Sequence, residues 1–424
     1  MLNERALHAV ASARQQNGDV HPLYASYCFR NLPSLIRFVL LGDTQPAMPL
    51  DVLGELPQRH QIVLTILFDA LGWQHIEPRL AAHPLLQRAL REGVISKLTA
   101  MFPSTTTAHL IGFFSDLPPA QSGFYEWFQY EPQLNRIITP LYFSYAGDRE
   151  RGTLGKNGVQ PESIYPQQSF LQPLHAGGVS NYLVQPAWYA QGPVTALLKP
   201  VATLVGYRTL ADGLAQAARL IAKHRAEGTP AFIWLYADGV DDVAHNYGPS
   251  ADSTQAEVEA ALAQVEHVLM PRIRGSGALV LLTADHGQID ANPKRTYYLN
   301  QLVPDFESYL LRGSDGRPLA PAGSPRDLFL HVKPDLLEAA RDRFAEALGN
   351  AARVLPTRIL IEAGLFGPEP TTVFLERVGN LVVLPAPGET VYIFEKDRFE
   401  QKYYGHHGGL SPQEMEIPLI ALLA

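Results

Sequence analysis

Residues 278–287 read Ala-Leu-Val-Leu-Leu-Thr-Ala-Asp-His-Gly, and residues 62–69 read Ile-Val-Leu-Thr-Ile-Leu-Phe-Asp. Each is a short apolar run that ends on an aspartate. Runs of this length without polar alternation read as strands buried on both faces, the environment of a parallel sheet covered by helices. Ligands of such sheets gather beyond the carboxyl ends of the strands, so Asp69 and Asp285 stand where a site would form. Gly72 and Gly287 follow closely, as expected where a chain turns sharply out of a sheet.

A third run, Ala231 to Tyr236, leads into Asp238-Gly239-Val240-Asp241-Asp242-Val243-Ala244-His245. If this segment is helical, Asp241 and His245 share a face one turn apart and grip one cation together. Near the C-terminus, Gly405-His406-His407-Gly408-Gly409 offers two more imidazoles. Carboxylate and imidazole ligands suit zinc, with manganese or iron as alternatives, and argue against a thiolate site. Between the first two aspartate motifs lies Pro103-Ser104-Thr105-Thr106-Thr107, a hydroxyl-rich turn that reads as the exit from a strand into a helix. A threonine there would see the positive end of the helix dipole, and a metal would lower its pKa enough to make it a nucleophile.

Each motif also has an ordinary structural reading. An aspartate after a strand is often a helix N-cap or turn former, Ser and Thr are the usual N-caps, and His407 could be a surface turn histidine. Independent turns, however, have no reason to place Asp69, Asp241 with His245, Asp285 with His286, and His407 in this order after successive apolar strands. The set reads as two divalent metal ions around a nucleophile. His75 and His83 lack any such context and are read as structural, and Asp238 and Asp242 as caps or as supports of metal-bound histidines.

The chain has 424 residues, 46% hydrophobic and 18% charged, with a net charge of -8. That is an ordinary soluble globular composition with no basic footprint for a nucleic-acid polymer. Bound cations would reverse the local sign, so a small phosphate-ester substrate remains compatible. A single cysteine, Cys28, rules out an internal disulfide framework and fits a reducing compartment. Residues 1–20 lack an apolar leader, and no run is long enough to span a bilayer, which reads as a cytoplasmic protein without a membrane anchor.

Strand-like runs alternate with amphipathic helices from about residue 60 to 290, clearest at Leu210 to His224 and Ser253 to Met270. The alternation predicts an α/β fold with a mostly parallel central sheet flanked by helices. The expected organisation is an N-terminal segment, 1–58, packed on a core of 59–289 and 404–424, with 290–403 inserted as a small α+β cap. Within that cap, strands are expected at 327–332, 381–384 and 390–394, and a helix at 334–348. The stretch 120–208, rich in aromatics, Gln, Gly and Pro, interrupts the alternation.

Taken together, these residues resemble the alkaline phosphatase superfamily, in its type I phosphodiesterase and nucleotide pyrophosphatase branch. Asp69 fits the aspartate after the first core strand. Pro103-Ser104-Thr105-Thr106 fits the nucleophile motif, with Thr106 in the nucleophile position. Asp241 to Pro249 fits Asp-x-x-Gly-His-x-x-Gly-Pro with Ala244 replacing Gly, and Asp285-His286-Gly287 and His407-Gly408-Gly409 fit the last two metal motifs. The resemblance implies an alkaline-phosphatase-like sandwich in which one metal is held by Asp241, His245 and His407. It gives the other to Asp69, Asp285 and His286, with Thr106 beside it. The implied reaction is hydrolysis of phosphodiester or pyrophosphate bonds through a phosphothreonine, with retention of configuration at phosphorus.

Alternatives stay open at several positions. Thr105 and Thr107 compete with Thr106, His406 competes with His407, and His109 reads as a packed or exposed histidine. Trp127 stands where many relatives place a hydrogen-bonding Asn, so the donor is its indole, or Gln129, or is absent. The belt Phe124, Tyr125, Trp127, Phe128 and Tyr130 either lines a substrate or covers the core. Phosphomonoester or phosphonate hydrolysis, mutase activity, and metal-bound recognition without turnover are the other readings. The mutase reading is weakened by the Thr nucleophile, and sulfatase activity is disfavoured by the lack of Cys or Ser followed by x-Pro-x-Arg.

Overall fold

In the computed structural model, which describes residues 1–189 and 192–424, the apolar runs assemble into one seven-stranded sheet. Its strands are β1 (Ile62–Phe68), β2 (Gly93–Thr99), β3 (Ser180–Pro186), β4 (Thr203–Tyr207), β5 (Ala231–Ala237), β6 (Leu279–Thr283) and β7 (Glu416–Leu423). The order across the sheet is β2-β7-β6-β1-β5-β3-β4. Pairing is parallel from β6 through β1, β5 and β3 to β4, while β7 runs antiparallel between β2 and β6. The mostly parallel α/β architecture is therefore as expected, and β1, β5 and β6 are buried along their whole length.

Register decides what meets at the rim. Leu67 of β1 lies opposite Tyr236 of β5 and Thr283 of β6. Asp69, Asp238 and Asp285 each lie two residues beyond these partners, so three aspartates leave the sheet side by side. At the exit from the sheet neither Gly72 nor Gly287 has a positive φ; it is Ala70 that adopts φ 61°. The glycines are needed for close packing: a Cβ on Gly287 would fall 2.1 Å from the Gln413 carbonyl oxygen and 3.1 Å from Gly72 Cα.

Helices cover the sheet, the longest being α1 (Leu210–Glu227), capped by the Thr209 side chain on Asp212 N–H and closed by left-handed Gly228. Expected as one helix, 253–270 is α-helical over Asp252–Gln264, widens into a π-helical turn at Val265–Leu269 and returns to α-helix at Met270–Ile273. The N-terminal run Leu35 to Leu41 lies in a helix, Leu32–Leu41, that buries Leu35, Ile36 and Val39 against the core. No described helix is long and apolar enough to cross a membrane.

The stretch 120–208 is not only an interruption, since it supplies β3 and β4. It also forms a three-stranded sheet of Gln129–Glu131, Arg136–Thr139 and Ser144–Tyr145. Residues 322–385 build a separate antiparallel sheet of Ala322–Ser324, Asp327–Leu330, Leu381–Pro385 and Ala352–Pro356, with the helix Leu337–Leu348 beside it. The expected strand at 390–394 shrinks to Val391–Tyr392, which pairs only with Tyr297–Tyr298. Buried Arg377, at the end of the helix Thr372–Arg377, reaches into the stretch 120–208, donating to Glu131 at 2.6 Å and to the Ile164 carbonyl at 2.9 Å.

Candidate metal centre

The rim aspartates meet the helix Gly239–Tyr247 and the loop carrying His407 at the carboxyl end of the sheet. That helix sets Asp241 and His245 on one face, with His245 Nε2 3.4 Å from Asp241 Oδ1. His407 Nε2 lies 4.0 Å from the same Asp241 oxygen. Deeper, His286 Nε2 lies 3.4 Å from Asp69 Oδ1 and 3.5 Å from Asp285 Oδ2. The His286 and His407 rings stack at 3.8 Å and join the two halves.

Backbone acceptors fix the imidazole tautomers. His245 Nδ1 donates to the Gly405 carbonyl at 2.8 Å, His286 Nδ1 to Gly287 at 3.0 Å, and His407 Nδ1 to Ser104 at 2.9 Å. Each Nε2 is thereby left as a lone pair turned toward carboxylate oxygens, the arrangement that orients metal-binding histidines. Burial, then the neighbouring imidazoles, holds His286 and His407 well below the ordinary histidine range.

The carboxylates are correspondingly uncomfortable. Burial, then repulsion from Asp285 and Asp241, pushes Asp69 well above the carboxylate range, and burial with Asp241 raises Asp285 to about 7. Asp241 is raised by burial, tempered by His245. Asp285 Oδ2 is buried without a hydrogen-bond donor. Among the described residues no Lys or Arg pairs with any of the three; their close nitrogen neighbours are the histidines. Neutral imidazole lone pairs facing buried carboxylates repel unless a cation lies between them, so the donor set fits divalent metals. Asp241, His245 and His407 form one group with donor atoms within 4.8 Å of one another, and Asp69, Asp241 and His286 form a second. Asp241 thus stands between the halves, and Asp285 reaches the second through Oδ2.

The hydroxyl turn closes the site. Thr106 opens the helix Thr106–Ser115, and its Oγ1 lies 3.1 Å from His286 Nε2 and 3.3 Å from Asp69 Oδ2. Thr105 is the N-cap but makes no side-chain cap bond, and neither its hydroxyl nor that of Thr107 has a hydrogen-bond partner. Ser104 Oγ accepts from Gly408 N–H at 3.1 Å and donates to the Gly409 carbonyl at 2.8 Å, pinning the turn to the His407 loop. His109 is a packed residue, with Nε2 accepting Met101 N–H at 2.7 Å. His406 points away from the cluster, toward the Gln401 amide.

Other candidates take supporting positions. Asp238 accepts from the Tyr189 hydroxyl at 3.0 Å, and Asp242 from Asn246. His83 caps the helix Pro84–Glu92, and His75 is buried. Phe124 and Tyr125 belong to the core, whereas Trp127 is half-buried and meets Tyr142 edge-on at 4.9 Å. Gln129 is fully buried, and neither end of its amide is paired.

Two contributors escape the motif reading. The Tyr236 hydroxyl donates a short hydrogen bond to Asp69, and Gln288 Nε2 donates to Asp241 Oδ1 at 2.5 Å. Gln288 directly follows Asp285-His286-Gly287, and Tyr236 ends β5 beside Asp69, so adjacency in sequence and in register were the available signals.

No protein of curated function matches this sequence. Among solved structures, murine ectonucleotide pyrophosphatase / phosphodiesterase 5 is similar at a TM-score of 0.62 and 16% identity, over 85% of this chain and 88% of that one. Its human counterpart is similar at 0.61 and 14%, over 85% and 87%. Phosphonoacetate hydrolase from Sinorhizobium meliloti, in complex with phosphonoacetate, is similar at 0.60 and 15%, over 85% and 90%. Residues 63–410 match the family described as type I phosphodiesterase / nucleotide pyrophosphatase. That span contains every residue of the cluster, from Asp69 through His407, and the chain belongs to this family of metal-dependent hydrolases of phosphoric esters.

Proposed function

We propose that the chain cleaves phosphodiester or pyrophosphate bonds with the Thr106 hydroxyl as nucleophile, at a site for two divalent cations. Asp241, His245 and His407 would hold one, and Asp69, Asp285 and His286 the other beside Thr106. Zinc, manganese or iron bound there would lower the hydroxyl pKa, offset charge on the phosphoryl oxygens and stabilise the leaving oxygen. One observation carries the reading: of the three threonines in the turn, only Thr106 directs its hydroxyl at the carboxylate and imidazole cluster, 3.1 Å from His286 Nε2. Its place at the start of a helix adds unpaired N–H groups and the positive dipole end, which favour an anionic phosphoryl group.

Thr106 Oγ attacks phosphorus in line, and the bond to the leaving alcohol breaks as the threonine ester forms. The threonine proton passes to solvent, and the leaving oxygen takes one from solvent. Water then opens the phosphothreonine and restores the hydroxyl. Residues 290–403 act as a cap over this core. The decisive experiment is Thr106→Ala. Loss of turnover by several orders of magnitude, with metal content by elemental analysis unchanged, is expected; substantial residual activity would sink the covalent route.

Substrate class is a separate matter. An inactive form of the murine relative was solved with AMP, and the Sinorhizobium enzyme with phosphonoacetate. A panel of chromogenic diesters, monoesters and phosphonates separates these chemistries, with the fastest turnover expected on diesters. Bound metal without activity on any ester would instead indicate a recognition protein.

A further inference from the structure

Among the described residues outside the cluster, one cation near the site stands without a counter-ion. Arg151 makes no hydrogen bond or ion pair with any described residue, although its guanidinium is held in place. It lies 4.1 Å from the centre of the Tyr142 ring and 5.7 Å from that of Tyr189. Tyr189 leads to the cluster. The Tyr189 hydroxyl donates to Asp238, at the start of the helix that carries Asp241 and His245. Its ring lies 5.8 Å from Tyr236, whose hydroxyl bonds Asp69. On the other side Tyr142 is braced edge-on by Trp127.

Most arginines near this region are neutralised. Arg136 pairs with Asp315, Arg317 and Arg398 with Glu395, and Arg377 with Glu131. In a chain of net charge -8, an exposed guanidinium clasped between two aromatic faces is positioned for an anion that the protein itself does not provide. Stacking limits its rotamers, and its planar fork matches the oxygens of a phosphate.

Resting on the phosphoric-ester reading above, we propose that Arg151, held by Tyr142 and Tyr189, binds a second phosphoryl group of the substrate, outside the one being cleaved. It is a specificity determinant that favours esters carrying a distal phosphate over simple diesters. Trp127 supports this arrangement from behind Tyr142.

The test uses the metal-loaded full chain and two p-nitrophenyl diesters whose second alcohol is either plain propyl or propyl ending in a phosphate. Arg151→Ala is expected to lower the ratio of kcat/KM for the phosphate-terminated over the plain ester by about tenfold, the scale of one charge-assisted contact. Arg151→Lys is expected to retain part of the ratio, and the wild-type ratio should shrink as salt is raised. An unchanged ratio in Arg151→Ala overturns the proposal. If the wild type cleaves the plain ester but shows no sensitivity to Arg151, only this inference fails; if it cleaves neither ester, the phosphoric-ester reading fails with it.

Discussion

Tyr236 shows how much of the centre depends on residues with no metal-binding chemistry of their own. Its buried hydroxyl is held well above the ordinary phenol range by burial and by Asp69, so it stays protonated and donates to that carboxylate. Tyr236→Phe removes the donor while keeping the ring. A fall of about 10- to 100-fold in metal affinity or kcat/KM is expected, the usual cost of losing a support behind a ligand. Elemental analysis of dialysed protein beside steady-state kinetics checks it, with near-wild-type thermal unfolding expected of the metal-loaded variant. At this scale the sequence was informative about Asp69, Asp241, His245, Asp285, His286 and His407, whose side chains are intrinsically ligands. It was silent on Tyr236, because a tyrosine at the end of a buried strand looks like core until register sets it beside Asp69.

Between elements, the junction that matters most is a pair of buried acids. Glu126, from the stretch before the three-stranded sheet, and Asp327, from the four-stranded sheet, converge behind Gly408, where a Cβ would fall 3.1 Å from Glu126 Oε1 and 2.7 Å from Asp327 Oδ1. Ser324 Oγ donates to Asp327 at 2.5 Å and also reaches the His407 carbonyl at 3.2 Å. Burial raises Glu126 to about 8, and burial with Glu126 holds Asp327 well above the carboxylate range. A folded-state pKa above the ordinary 4.5 means that the folded protein binds more protons than the unfolded chain between about 4.5 and 8. Stability from this group is therefore lost as pH rises through that window. The denaturation midpoint of the metal-loaded protein should fall more steeply with pH in the wild type than in Glu126→Gln, and equal slopes would show that the pair does not hold a proton. Strands β1, β5 and β6 were legible because their apolar runs are local. Strands β3 and β4 were not, since both lie in the stretch read as an interruption, and the partly exposed residues of β4 carry little apolar signal.

For the molecule as a whole, the centre would work as a cross-link once cations fill it. It gathers residues from the ends of β1 and β6, from the helix after β5, from the turn after β2 and from the loop before β7. Cations that bind the folded but not the unfolded chain stabilise it by mass action, about 4 kcal/mol at a thousandfold excess over Kd. Stripping them with a chelator should lower Tm, and adding zinc should restore it, with the same recovery in Thr106→Ala. Absence of any metal-dependent shift in Tm would argue against cations at this cluster.

The sequence alone determined the α/β class, the positions of the two aspartate-terminated strands, the carboxylate and imidazole side chains of the cluster and the hydroxyl turn. Each of these is written in local periodicity or in the chemistry of single side chains. Only the tertiary structure decided that Thr106 rather than Thr105 or Thr107 faces the cluster, that His407 rather than His406 does so, and that Asp241 stands between its two halves. It also decided that Gly72 and Gly287 are needed for mutual packing and not for a positive φ. The physical reason is common to all four: direction and close approach are set by sheet register and by contacts between residues tens to hundreds of positions apart.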